Sequence, residues 1–174
     1  MFRPAIQRVE VLVTMAIISL VVFYTASSLT VETRQPAYDV KIAAAQRMTN
    51  AMQILKDSRG EAAVFMDDIN DPNETGLIGR QFTYITTDEG DLDAKISVLD
   101  PNVAAMIVDY LTRAGVSAGD KVAVTLTGSM PGGNLAVVCA LEEMGVVPHV
   151  LASVGASQWG ANIEDFTWLD MEKV

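Results

Sequence analysis

Residues Val11 to Val31 form a run of twenty-one side chains with no Asp, Glu, Lys, Arg or His among them. The hydrocarbon core of a bilayer is about 30 Å thick and a helix rises about 1.5 Å per residue, so this run is long enough to cross it. With no water in lipid to satisfy the backbone, a crossing segment must be helical. The chain therefore reads as an anchor and whatever that anchor tethers. A cleaved secretory signal is the competing reading, because Arg3 and Arg8 precede the run and Ala26, Ser27 and Ser28 lie near its end. A signal's apolar region is roughly 7–15 residues, however, and no A-x-A site follows here, which favours an uncleaved anchor. Glu10 opens the run as in a pilin leader, but no Gly-Phe cleavage site precedes it. Arg34, Lys41 and Arg47 after the run nearly balance Arg3 and Arg8 before it. The positive-inside count thus almost ties. The expectation is a single-pass cell-membrane protein, held in lipid through residues 11–31, with its N-terminus inside and its body extracytoplasmic.

Charge narrows the partners. With Arg3, Arg8 and Glu10 set aside, the chain from Glu32 onward carries ten Lys/Arg against twenty-one Asp/Glu. Nucleic acid and anionic lipid surfaces both call for a basic patch, so neither is an expected partner of the body. Any polyanionic ligand needs a local site working against the overall field. Cys139 is the single cysteine and His149 the single histidine. No intrachain disulfide and no Cys/His metal framework can form, and no metal or cofactor is expected. Cys139, in the run LAVVCAL, reads as a small core residue.

Beyond the anchor, residues 1–35, the pattern divides into an amphipathic helix within 36–60 and an α/β domain over 61–174. Pro36 ends the anchor, and Ile42, Ala45, Met48, Met52 and Leu55 give Tyr38 to Lys56 one apolar stripe at helical spacing. Arg59-Gly60 closes that helix. The stretch Asp67 to Gly79 (DDINDPNETGLIG) is loop. Asp71, Asn73, Thr75 and Gly76 match the early positions of a calcium loop, but Phe82 stands where the bidentate glutamate belongs, so a solvated acidic turn is the better account. Gln81 to Thr87 alternates like a strand, and the acidic turn DEGDLD follows.

The remaining pattern is regular. Asp100 and Pro101 read as the cap and first residue of a helix whose face carries Val103, Met106, Ile107, Tyr110 and Leu111, with Gly115 closing it. A strand over Lys121 to Thr127, an apolar helix over Pro131 to Met144 ended by Gly145, and a strand over Val146 to Ser153 follow. Helix, strand, helix, strand with short glycine turns means α/β: a transmembrane helix followed by a small parallel-sheet, Rossmann-like domain. Strands this apolar are expected to be buried on both faces. Only about three strands are legible, against about five or six in a doubly wound sheet, and FTWLDMEKV reads as a further element cut short. The domain is therefore expected to be incomplete. It would continue beyond this chain, or take its missing sheet edge from a partner, a second copy included.

Ligands of open parallel sheets bind at the carboxyl ends of the strands. Two loops lie there. In the first, Gly128 permits a tight turn, Ser129 can cap the following helix, and Gly132, Gly133 and Asn134 leave a helix N-terminus open to carboxylate or phosphate. The second offers Ser153, Ser157 and Asn162, with Trp159 as an aromatic wall. The first is not a phosphate-binding fingerprint, having no Gly-Lys-Ser/Thr and not fitting G-x-G-x-x-G, and the second is not a nucleophile elbow, since Trp159 stands where that motif needs glycine. Ser129 and Ser157 are the candidate nucleophiles, with His149 the single histidine for a triad. Plain turn chemistry accounts for both loops equally well. The acid pairs Glu142-Glu143 and Glu164-Asp165 read as solvated faces.

The strings TGSMPGGNLAV, SVGASQWGAN and FTWLDMEK, behind an N-terminal anchor and a DPNVAAMIVDYLTRAGV helix, resemble the bacterial poly-gamma-glutamate system protein family over roughly Thr86 to the end. Members of that family are longer. The resemblance implies a membrane-associated accessory to synthesis or export of the polymer, working beside the other synthesis subunits, and assigns no catalytic residue. The function expected from anchor, loops and resemblance is such an accessory, with a small anionic ligand held at the strand C-termini. The alternatives are a serine-dependent amide hydrolase or transferase and a purely structural membrane subunit.

Overall fold

The computed structural model describes residues 8–29, 33–59 and 69–174. Arg3, the end of the apolar run at Thr30 and Val31, the stop at Gly60 and the first two residues of the acidic loop, Asp67 and Asp68, lie outside the described residues. The chain forms two compact units, Met1–Gln35 and Pro36–Val174.

In the first unit, helix α1 (Val9–Ser28) buries none of its residues. It is long and apolar enough to cross a membrane, a property it shares with signal sequences. Four of its hydroxyls are satisfied within the helix. Thr14, Thr25, Ser27 and Ser28 each fold the hydroxyl back onto the carbonyl four residues earlier, at 2.8–2.9 Å. Those protons are thus satisfied without water.

The second unit mixes helices with a small parallel sheet. Helix α2 (Tyr38–Ser58) packs against α4 (Asn102–Arg113) and α5 (Pro131–Met144), and those two pack on each other. The buried row of α2 is Lys41, Ala44, Met48 and Leu55. This corrects the expected stripe, since Ile42 is 50% exposed. The cause is an ion pair: Lys41 reaches inward to Asp109 on α4 at 2.6 Å, and Arg113 holds the other carboxylate oxygen at 2.8 Å. These bonds hold the Asp109 carboxyl below its ordinary range, the Lys41 bond foremost. The face of α4 is likewise turned from the expected one. Ala104 and Val108 are buried while Met106 and Tyr110 stay exposed. The helix begins one residue later than Asp100-Pro101 suggests, with Pro101 at the cap and the Asp100 carboxylate accepting from Asn102 N at 2.9 Å.

Strands β1 (Lys121–Thr127) and β2 (Val147–Ser153) pair in parallel, Lys121 opposite Val147 through Thr127 opposite Ser153, with α5 as the crossover. Gly145, at φ 65°, turns the chain out of α5. Val122, Val124 and Leu126 face the helices. Lys121, Ala123, Thr125 and Thr127 share the opposite face with Val147, His149, Leu151 and Ser153, and all eight are exposed. The expectation of strands buried on both faces is therefore corrected: among the described residues one face of β1 is covered, and β2 is exposed on both faces except at Ala152. Val147 donates to Asp120 O and Ser153 O accepts from Gly128 N, so Val147, His149, Leu151 and Ser153 turn their backbones toward β1. Pro148, Val150 and Ala152 then line the free edge, where proline loses no ladder bond.

The expected strand Gln81–Thr87 is not one. Its single β contact is Thr86 opposite Ala156. The stretch DEGDLD is also more than a turn, because Asp91 caps a short helix α3 (Leu92–Ser97) by accepting from Ala94 N. The end of the chain forms a two-residue hairpin, β3 (Asn162–Ile163) with β4 (Phe166–Thr167), and the single turn α6 (Trp168–Met171). Thr167 donates its N–H and hydroxyl to Asp170, the main reason that carboxyl falls to about 2. Asp71 is buried, not solvated. Its carboxylate accepts from the Thr75 hydroxyl at 3.0 Å and Gly76 N at 2.7 Å.

The register of α2 is directly testable. Met48→Ala, at a position with no exposed surface, is expected to lower unfolding free energy by about 2–5 kcal/mol. Ile42→Ala, although a member of the sequence stripe, is expected to cost less than about 1 kcal/mol. Denaturant titration of the detergent-solubilised chain separates the two; equal losses would contradict the rotated face.

Candidate functional site

At the carboxyl ends of β1 and β2 three chain segments meet: 127–134, 153–162 and 79–95. Backbone bonds stitch them. Gly128 N donates to Ser153 O, Ala161 N to Gly128 O, Thr87 N to Ala156 O, Gln158 N to Asp88 O, and Trp159 N to Arg80 O. The glycines here mostly serve this close approach. A Cβ on Gly128 would come within 3.0 Å of Ala156 Cβ, and one on Gly160 within 2.6 Å of Gly128 O. Gly132 was expected to leave a helix N-terminus bare; instead a Cβ there would meet Leu99 Cδ2 at 2.8 Å and Val98 O at 3.0 Å. Its role is helix packing. Gly133 has only ordinary contacts around its would-be Cβ. Asn134 is buried and donates to Thr127 O at 2.7 Å, tying α5 to β1. Asn162, with no exposed surface, bonds Arg80 N, Arg80 O and the Thr86 hydroxyl. Both asparagines are structural ties.

The residue that sequence reasoning missed is Lys95. It projects from α3 into this knot with 3% of its surface exposed. Its ammonium bonds the Ser129 carbonyl and, at 2.9 Å, the Ser157 hydroxyl. Among the described residues it forms no ion pair. Burial pushes the Lys95 pKa below its ordinary 10.5, with Asp91 opposing. A lysine so enclosed is unusual without a carboxylate against it. The signal was present in Asp91-Leu92-Asp93-Ala94-Lys95: a capping aspartate ahead of Leu92, Ile96 and Leu99 marks a helix whose inner face includes position 95.

Outside the knot lie three hydroxyls. Thr127 Oγ1 accepts from Ser129 N at 3.3 Å, Ser129 Oγ from Ser157 N at 3.0 Å, and Ser153 Oγ from Gly155 N at 3.2 Å. Each has a lone pair engaged by backbone, and among the described residues none of the three protons has an acceptor. Thr127 and Ser153 are exposed and opposite each other in the ladder; Ser129 is half-buried. Three donors at the strand tips, with a buried cation behind them, can accept an anion. Thr127 carried no weight in the sequence because a strand-terminal threonine is unremarkable until its cross-strand partner is known.

His149 stands on the exposed sheet face, and no hydrogen bond joins it to Ser157 or Ser129 among the described residues, so no histidine triad forms. Cys139 is buried, and burial raises its thiol to about 11, keeping it protonated. Glu142 and Glu143 both pair with Arg47, and Glu164 and Asp165 sit exposed between β3 and β4. Two clefts of about 720 and 710 Å³ lie elsewhere, the first around Arg59, Arg80 and Phe166 and the second between α2 and α5. No family model, curated protein or solved structure matches the chain.

The buried ammonium makes a linkage prediction. The folded state loses Lys95's proton at lower pH than the unfolded chain does, so between the two values the unfolded state binds more protons and stability rises with pH. Chemical denaturation across the alkaline range below pH 10.5 should show that rise, and Lys95→Met should flatten it. A wild-type curve without the rise would place Lys95 in a solvated setting.

Proposed function

We propose that this chain is a membrane-tethered accessory of anionic polymer synthesis or export, specifically of the poly-gamma-glutamate system, and that its strand-tip hydroxyls hold a carboxylate of the polymer. The observation that carries the site is Lys95: a buried cation in no ion pair among the described residues, with Asp91 as the opposing charge nearby, bonded to the Ser129 carbonyl and the Ser157 hydroxyl of the two loops that also carry Thr127 and Ser153. A carboxylate laid on the hydroxyls of Thr127, Ser129 and Ser153 gains charge-assisted bonds and adds negative charge at these loops. The site is local, as the chain's net charge of −10 requires of any anion site. The apolar helix α1 supports the tether, and the sequence strings from Thr86 onward support the polymer. In this reading α1 spans the cell membrane once with the body outside. The other synthesis subunits, or a second copy, complete the uncovered sheet.

Binding is tested by calorimetry with oligo-γ-glutamate on the detergent-solubilised chain. Thr127→Val combined with Ser153→Ala is expected to weaken it at least about tenfold, the equivalent of one charge-assisted bond. Deleting the gene should lower surface polymer. Normal polymer in the deletion, together with no oligoglutamate binding, would overturn the reading.

A further inference from the structure

The strand-tip site contains a second chemical feature, the contact between Lys95 and the Ser157 hydroxyl. We propose that Ser157 is a nucleophile with Lys95 as its general base, acting on the acyl group of an amide whose neighbouring carboxylate rests on the outer hydroxyls. The substrate class rests on the reading above; the pair itself does not.

Geometry carries this assignment. Lys95 Nζ lies 2.9 Å from Ser157 Oγ, within the range a general base needs. The serine is held from both sides: its own N–H is fixed on Ser129 Oγ at 3.0 Å, and the next residue, Gln158, is bonded through N to Asp88 O and through Oε1 to Gly90 N. The lysine contacts only neutral oxygens, the Ser129 carbonyl and the Ser157 hydroxyl. A structural lysine at 3% exposure ordinarily faces a carboxylate; this one faces a hydroxyl instead. Burial lowers its affinity for a proton, the direction a base requires.

Gly90 packs directly on the pair. It is half-buried, and a Cβ there would meet Gln158 O at 2.5 Å, Lys95 Cε at 3.0 Å and Ser157 Oγ at 3.2 Å. Glycine at this position therefore lets the 88–91 loop close over Lys95 and Ser157, which is itself 8% exposed. Ser129 adds a donor, since its hydroxyl proton is unclaimed among the described residues and its oxygen is one hydrogen bond from Ser157 N.

The reaction balances with water as co-reactant. The Ser157 oxygen attacks the amide carbonyl carbon as its proton passes to neutral Lys95, and a C–O bond forms. The C–N bond then breaks as the Lys95 ammonium gives that proton to the leaving amine, producing an ester of Ser157. Water, losing a proton to Lys95, attacks the ester; the acid departs and Ser157 regains its hydrogen. An amine acceptor in place of water gives transfer rather than hydrolysis. With the neighbouring carboxylate held by Thr127 and Ser153, the single Ser129 hydroxyl proton is left to donate to the oxyanion of each tetrahedral intermediate.

The test is phosphonylation of the full-length, detergent-solubilised chain by a fluorophosphonate, with the modified residue located by peptide mass spectrometry. The expected result is modification of Ser157 at a rate that rises with pH around a midpoint below 10.5. Ser157→Ala should abolish it and Lys95→Met should slow it at least about 100-fold, the lower range of a general base's contribution. If Lys95→Met does not fold, the wild-type pH profile decides. A rate that climbs with hydroxide and shows no midpoint overturns the pair. So does an unmodified Ser157 in a chain that still unfolds cooperatively, or modification of Lys95→Met at the wild-type rate. Calorimetry on Ser157→Ala keeps the two ideas apart, because oligoglutamate should bind it within about twofold of wild type. Phosphonylation of Ser157 in a chain that binds no oligoglutamate would support the pair and sink the polymer reading.

Discussion

The ammonium of Lys95 is the contact on which the strand tips depend. It runs from a six-residue helix into the meeting point of two loops, bonding the carbonyl of one and the hydroxyl of the other. A short helix alone is marginal, so α3 exists because its apolar side and its lysine are both buried. Removing the charge would leave the Ser129 carbonyl without this donor, and keeping it leaves a cation whose burial outweighs the attraction of Asp91. The fold thus holds an electrostatic cost at its strand tips, and buried costs of this kind concentrate at functional sites.

Around that contact, small residues decide what else fits. Gly128 and Gly160 let the two βα loops touch backbone to backbone, and Gly132 lets α5 lie against Val98 and Leu99. The result is a closed knot whose chemistry faces outward through hydroxyls, with Gly90 packed against Lys95 and Ser157. The same economy is missing from the sheet. Its outer face, from Lys121 to Ser153, has no cover, and Leu151 is 71% exposed. Parallel sheets commonly have both faces covered, and among the described residues this face is not.

Much of the fold was legible. The apolar run gave α1; the glycine-bounded pattern from Lys121 to Ser153 gave β1, α5 and β2 nearly to the residue, because short turns and strong periodicity leave few alternatives. The helix faces were less legible. In α2 the apolar stripe places Ile42 inward and Lys41 outward, yet the Lys41–Asp109 ion pair reverses them. Hydropathy counts lysine as a surface residue and cannot anticipate a partner 68 positions away. The acidic turn at 88–93 hid α3 for the same reason, since its stability comes from burial rather than from its own sequence. Of the candidate site, Ser129, Ser153 and Ser157 were visible as hydroxyls on glycine-rich loops. Lys95, Thr127 and Gly90 were not.

The sequence by itself determined a greasy N-terminal helix, a parallel strand–helix–strand unit and an acidic body without cysteine or histidine clusters, because each follows from local periodicity or from counting. Tertiary structure alone decided that Asn134 and Asn162 tie the loops through hydrogen bonds, that Gly132 packs against Val98 and Leu99, and that a lysine from residue 95 stands against a serine from residue 157. Those outcomes rest on contacts between distant segments. Local pattern states what a residue can do; only the packing of remote chain around it states what surrounds it.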